Sequence, residues 1–74
     1  MRNKVIDILS ELRPEFDFSQ DVNFIEEGML DSFDIVSLVD AIEEKLGVQI
    51  QGMDIIPENF DSLDSILRII EKSK

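Results

Sequence analysis

Gly28-Met29-Leu30-Asp31-Ser32-Phe33-Asp34 runs directly into Ile35-Val36-Ser37-Leu38-Val39-Asp40-Ala41-Ile42-Glu43-Glu44-Lys45-Leu46-Gly47, and this stretch carries the clearest periodicity in the chain. At about 100° per residue, Ile35, Leu38, Val39, Ile42 and Leu46 fall within an arc of roughly 100°, the width of a core-facing helical stripe. Asp31 is the natural N-cap, Asp34 three residues on is a weaker relative of the usual capping-box partner, and Gly47 stands where a left-handed residue ends a helix. The helix therefore begins at Ser32. On its N-terminal side, Met1, Val5, Ile8, Leu9 and Leu12 form one stripe of an amphipathic helix that Pro14 ends. From Arg13 to Leu30 the periodicity lapses into a long loop with Pro14 and Gly28. Loops of this length in small folds are functional or pinned by their own side chains. Phe16, Phe18, Phe24 and Ile25 are the anchors available, and the three phenylalanines are expected to plug the core. On the C-terminal side, Val48-Gln49-Ile50 reads as a short extended connector and Met53 to Phe60 as one short helical turn around Pro57. A last helix opens at Asp61 or Ser62, with Leu63, Ile66, Leu67 and Ile70 on one face. A strand would have only Val48 and Ile50 to build on. The expected fold is all-α: a small bundle of three main helices plus one short helix, with a long first loop, forming one monomeric unit over residues 1–74.

Composition narrows the function. Seven Lys and Arg against 17 Asp and Glu leave 74 residues with a formal charge of −10. Nucleic-acid binding is driven by basic side chains that neutralise phosphates, so this balance argues against it, and equally against anionic membrane surfaces. A partner should be basic. Cysteine and histidine are both absent, which removes disulfides, thiolate nucleophiles, the usual zinc ligands and the usual general base. A chain this short buries only about 60% of the surface its unfolded form exposes, leaving no room for a deep enclosed pocket. No apolar run exceeds two residues, which speaks against membrane insertion and for a cytoplasmic protein. At 43% apolar residues the chain is nonetheless expected to fold. Asp21, Asn23 and Glu26 superficially suggest a calcium loop. Its sixth and twelfth positions would be Glu26 and Ser32, where Gly and Glu are needed, so no metal site is expected.

Opposite the core stripe, the second helix presents Phe33, Ser37, Asp40 and Glu44 at i, i+4, i+7 and i+11. Five carboxylates (Asp31, Asp34, Asp40, Glu43 and Glu44) and no base lie between Asp31 and Glu44. An aromatic among like charges reads as a docking surface for something basic with an apolar notch. Phe33, Asp34, Ser37, Asp40 and Glu44 form the expected partner-binding set. The plainer reading is a solvated face with Phe33 folded back over Phe24 or Leu30. Among the remaining serines, Ser62 reads as a helix cap, and Ser10, Ser19, Ser65 and Ser73 as solvent-facing.

The stretch from Gly28 to Asp34, followed by the apolar spacing through Leu46-Gly47-Val48, resembles the modification site and second helix of acyl carrier proteins. Length, acidity, the long first loop and the Ile56-to-Ser62 stretch before the last helix extend the resemblance over nearly the whole chain. It implies that a separate phosphopantetheinyl transferase attaches 4′-phosphopantetheine from coenzyme A to the Ser32 hydroxyl, and that Asp31 assists this magnesium-dependent transfer. It also implies a non-catalytic carrier whose arm ends in a thiol and holds an acyl or aminoacyl thioester for loading and downstream enzymes with basic docking surfaces. Two departures stand out. Phe33 follows the serine where leucine or methionine is usual, which bears on which partners fit. Gly52 to Phe60 resembles discrete carriers of D-alanyl, aminoacyl or secondary-metabolite pathways more than fatty-acid carriers. Fatty acyl, D-alanyl, other aminoacyl and polyketide cargo all stay open. The alternative from another class is an unmodified acidic helical adaptor that binds a basic protein.

Overall fold

Three apolar stripes must be hidden from water, and the architecture follows from how they meet. The computed structural model describes all 74 residues. Helix α1 spans Arg2–Leu12, α2 Ser32–Leu46 and α3 Leu63–Lys72, with two 3₁₀ turns, Gly52–Asp54 and Pro57–Asn59, between α2 and α3. The fold is an all-α bundle. α1 packs on both α2 and α3, and the second 3₁₀ turn packs on α3. The segment read as one short helical turn is two, because Pro57 can open a turn but cannot lie inside one without losing a hydrogen bond.

The stripes differ from expectation at their edges. Met1 precedes α1 as its N-cap and is exposed, so Val5, Ile8 and Leu9 carry the buried face and Leu12 borders it. On α3 the buried residues are Leu63, Ile66, Ile69 and Ile70, with Leu67 at the margin. The face is turned toward the 3₁₀ turns: Ile69 lines a hollow together with Asp54 and Asn59. Lys72 Nζ meets the buried Asp54 carboxylate at 3.1 Å, and Asn59 Nδ2 donates to the Asp54 carbonyl at 2.8 Å, tying that cover to α3. Phe60, in the stretch that lacks periodicity, is fully buried. Ser62 caps α3 by accepting the Ser65 N–H at 3.1 Å. Ser65, expected in solvent, instead donates its hydroxyl to Asp61 at 3.0 Å.

The long first loop turns inward. Phe18 and Phe24 are fully buried and meet edge to face, centroids 5.1 Å apart at 85°. Phe16 packs edge-on against Phe18 from the half-buried rim. This geometry suits the ring quadrupole. The Phe24 N–H donates to the Asp61 carbonyl at 2.6 Å, and the Phe24 carbonyl accepts from Met29 and Leu30 at 2.8 and 3.1 Å. Gly28, at φ +73°, makes the left-handed reversal between them. The chain therefore reaches Asp31 along a fixed path. At the far end of α2, Gly47 at φ +68° returns its N–H to the Glu43 carbonyl. Glu43 sits where the helix dipole disfavours negative charge, and its carboxylate accepts the Ile50 N–H at 3.0 Å, which keeps Ile50 in the core.

One ion pair joins the end of α1 to the start of α2. Arg13 caps α1 through its N–H to the Leu9 carbonyl at 2.9 Å. Its Nε lies 3.1 and 3.0 Å from the two Asp34 oxygens, and Nη2 is 2.8 Å from Oδ2. Asp34 is only 8% exposed. Burial works against its charge, but the hydrogen bonds from Arg13 and from the Asp31 backbone, with the guanidinium charge, outweigh it and hold the carboxyl below its ordinary value.

Two measurements test this packing. Phe18→Ala removes a fully buried ring and should cost about 3–5 kcal/mol in urea unfolding. Phe33→Ala, on the exposed face, should stay within about 0.5 kcal/mol of wild type. Equal losses would contradict the assignment of core and surface. The second concerns pH. Because the folded state keeps Asp34 ionised to lower pH than the unfolded chain does, the ion pair contributes fully above the ordinary value of 3.8 and fades as pH falls below it. The stability gap between wild type and Asp34→Asn should be widest near neutrality and close below about pH 4. A gap unchanged down to pH 3 would contradict the ion pair.

Candidate functional site

The first turn of α2 is closed by a reciprocal capping box. Asp31, in extended conformation, accepts the Asp34 N–H on Oδ1 at 3.0 Å, and Asp34 Oδ2 accepts the Asp31 N–H at 3.1 Å. Aspartate is shorter than the glutamate usual at this position, and the box here is complete with Arg13 gripping Asp34 from behind. Ser32 is the first residue of the helix and is exposed. No protein group takes up the N–H of Ser32 or Phe33. These donors face outward at the positive end of a 15-residue helix.

Ser32 lines an open hollow of about 410 Å³ walled mainly by Ile25, Leu30, Ile35 and Pro57, with Asp31 also at its edge. Asp31 joins this hollow to its contacts with Asp34 and Arg13. The Asp31 side chain is 59% exposed, and its Oδ2 lies 3.7 Å from Arg13 Nη2, outside hydrogen-bond range. An exposed hydroxyl beside a partly free carboxylate and two unfilled N–H donors can accept a phosphoryl group and seat its oxygens. The apolar hollow can receive the first part of a flexible chain hung from it. These residues fit a phosphate-linked arm.

Phe33 is 85% exposed and does not fold back over the loop. Ser37, Asp40 and Glu44 are exposed on the same helix. Asp40 and Glu44 make no ion pair within the chain, whereas Lys45 is committed to Glu11 at 3.0 Å. Asp34 does not join them. Its oxygens are turned inward and filled by Arg13 and the Asp31 N–H, so it is corrected from a docking residue to a buried brace. Two residues were missed. Val36, 58% exposed one turn after Phe33, widens the apolar knob; its place off the core stripe was the available signal. Arg13 is the single base between Lys4 and Lys45, which marked it as the counter-charge for an acidic segment.

Comparison with known proteins agrees with this geometry. Residues 2–70 match the family described as phosphopantetheine attachment site. D-alanyl carrier proteins of Staphylococcus saprophyticus and Staphylococcus xylosus are each 30% identical over 73 residues, covering 96% of this chain and 94% of the relative. A D-alanyl carrier protein of Bacillus velezensis is 28% identical over 75 residues, covering 99% of this chain and 96% of its own. The chain belongs to the phosphopantetheine-attachment family of carrier proteins, which implies a covalently attached 4′-phosphopantetheine.

Proposed function

We propose that this protein is an aminoacyl carrier, loaded with D-alanine or a similarly small amino acid, and that Ser32 is where its arm is attached. The observation that carries the reading is the placement of Ser32: an exposed hydroxyl on the first residue of a braced helix, at the edge of an apolar hollow that Asp31 also lines. No other serine has this setting. Ser62 and Ser65 are committed to the cap of α3, and Ser73 donates to the Ile69 carbonyl. In the transfer, Ser32 Oγ gives its proton to a base supplied by the transferase and forms the bond to phosphorus as the pyrophosphate bond of coenzyme A breaks and adenosine 3′,5′-bisphosphate leaves. Asp31, with one oxygen free of hydrogen bonds, would assist this magnesium-dependent transfer. When bound, the arm supplies the thiol on which the amino acid is held as a thioester. The chain contributes no catalysis; it is the substrate of a phosphopantetheinyl transferase and then of its loading enzyme.

The likeness to D-alanyl carriers over nearly their full length supports the aminoacyl cargo. The unpaired Asp40 and Glu44, with Phe33 and Val36 nearer the serine, support a docking face for basic enzyme surfaces that bear an apolar notch. Steering by such charges speeds encounter without tight binding, which suits a shuttle that must release each partner.

Two experiments test the reading. Incubated with coenzyme A, magnesium and a broad-specificity phosphopantetheinyl transferase, the protein should gain the mass of one phosphopantetheinyl group, and Ser32→Ala should gain none. An unmodified wild type, or a modified Ser32→Ala, would overturn the assignment. Reversing charge at Asp40 and Glu44 together should slow loading about tenfold at low salt, with the deficit shrinking as ionic strength rises. Unchanged loading would remove these residues from the interface.

A further inference from the structure

Two carboxylates flank Ser32, and the structure treats them differently. The Asp34 side chain is 11% exposed and carries three contacts from the Arg13 guanidinium. The Asp31 side chain is 59% exposed. One of its oxygens caps the Asp34 N–H, and the other stands 3.7 Å from Arg13 Nη2. The single guanidinium is hydrogen-bonded to Asp34 and only within ion-pair range of Asp31, whose second oxygen is left without a hydrogen-bond donor.

We propose that Arg13 is a positioning residue for arm attachment: by neutralising Asp34 and bracing the capping box, it leaves Asp31 as the one carboxylate presented to the magnesium–pyrophosphate group of coenzyme A. This rests on Ser32 being the attachment point. The donor is anionic, and a second bare carboxylate within one helical turn of the serine lies inside the Debye length of about 8 Å at physiological salt, so its repulsion is not screened away. Without Arg13, the inward-turned Asp34 would keep its cap on the Asp31 N–H but lose its counter-charge, and its repulsion would reach the donor. Arginine suits the task better than lysine. Its planar fork meets both Asp34 oxygens at once, while the remaining Nη1 reaches only Glu15, at 3.4 Å. Arg13 reaches the site from the end of α1, 21 residues before Asp34, so it acts through Asp34 and Asp31.

The test compares kcat/KM for transfer from saturating coenzyme A to wild type, Arg13→Gln, Asp34→Asn and the double variant Arg13→Gln/Asp34→Asn, with circular dichroism showing each folded at the assay temperature. Arg13→Gln should lose about fivefold or more. The double variant, which lacks the ion pair but also lacks the charge, should recover to within about twofold of wild type. Because the double variant also relieves a buried unpaired charge, the magnesium concentration for half-maximal transfer is read alongside: Arg13→Gln should raise it about twofold or more and the double variant should restore it, whereas a purely structural clamp would leave it at the wild-type value and overturn the proposal. Should Arg13→Gln fail to fold, Arg13→Lys takes its place: it keeps the charge without the fork and is expected to fall below wild type. Arg13→Gln matching wild type, a double variant as slow as Arg13→Gln, or, where it stands in, Arg13→Lys matching wild type, overturns the proposal alone. A wild type that accepts no arm overturns the Ser32 reading, and this proposal with it.

Discussion

Four hydrogen bonds converge on the carboxylate of Asp34, three contacts from the Arg13 guanidinium and one from the Asp31 backbone. A charge this far from water is tolerated only when its lone pairs are filled, because a buried carboxylate without partners costs several kcal/mol (about 3–5 when one partner is removed). The condition is met throughout the chain: no buried side-chain nitrogen or oxygen lacks a partner. The same four contacts settle the geometry around them. They fasten the end of α1 to the start of α2, close the ends of the long loop, and complete a capping box that fixes the first turn on which Ser32 sits.

From that brace the functional surface follows. The core is composed of side chains from three helices and of residues between them, among them Phe18, Phe24, Met29, Leu30, Ile50 and Phe60, with Asp34 and Asp54 the two buried charged residues. Ser32 lies outside the core but on a first turn that cannot fray freely, a combination suited to a group modified by one enzyme and then visited by others. The acidic face of α2 adds reach to this arrangement. Two acidic residues near the site have structural work, Asp34 with Arg13 and Glu43 with Ile50, while Asp40 and Glu44 make no ion pair within the chain. The absence of cysteine and histidine leaves the sulfur chemistry to the attached arm.

The architecture was legible in the sequence wherever an element obeyed a single local rule. α2 begins at Ser32 and stops at Leu46, just before Gly47, because cap, stripe and left-handed glycine all point to the same boundaries. Ser62 was readable as a cap for the same reason. What periodicity could not show were contacts between segments distant in the chain. Asp34 carries the same charge as Asp40, and nothing within α2 distinguishes a carboxylate held by Arg13, 21 residues earlier, from one facing water. Ile69 is buried and Leu67 is at the margin because 3₁₀ turns lie against one flank of α3, a tertiary fact absent from the helix's own angular pattern. Phe60 likewise enters the core from a segment with no period at all.

Amide hydrogen exchange across the first turn of α2 in the unmodified protein tests the central claim most directly. The Asp31 and Asp34 N–H groups are each bonded to the other residue's carboxylate, whereas those of Ser32 and Phe33 have no protein acceptor. Asp31 and Asp34 should be protected at least about tenfold more than Ser32 and Phe33, opening only with the larger unfolding of the bundle. Four amides exchanging together at the fast rate of a frayed helix end would contradict it.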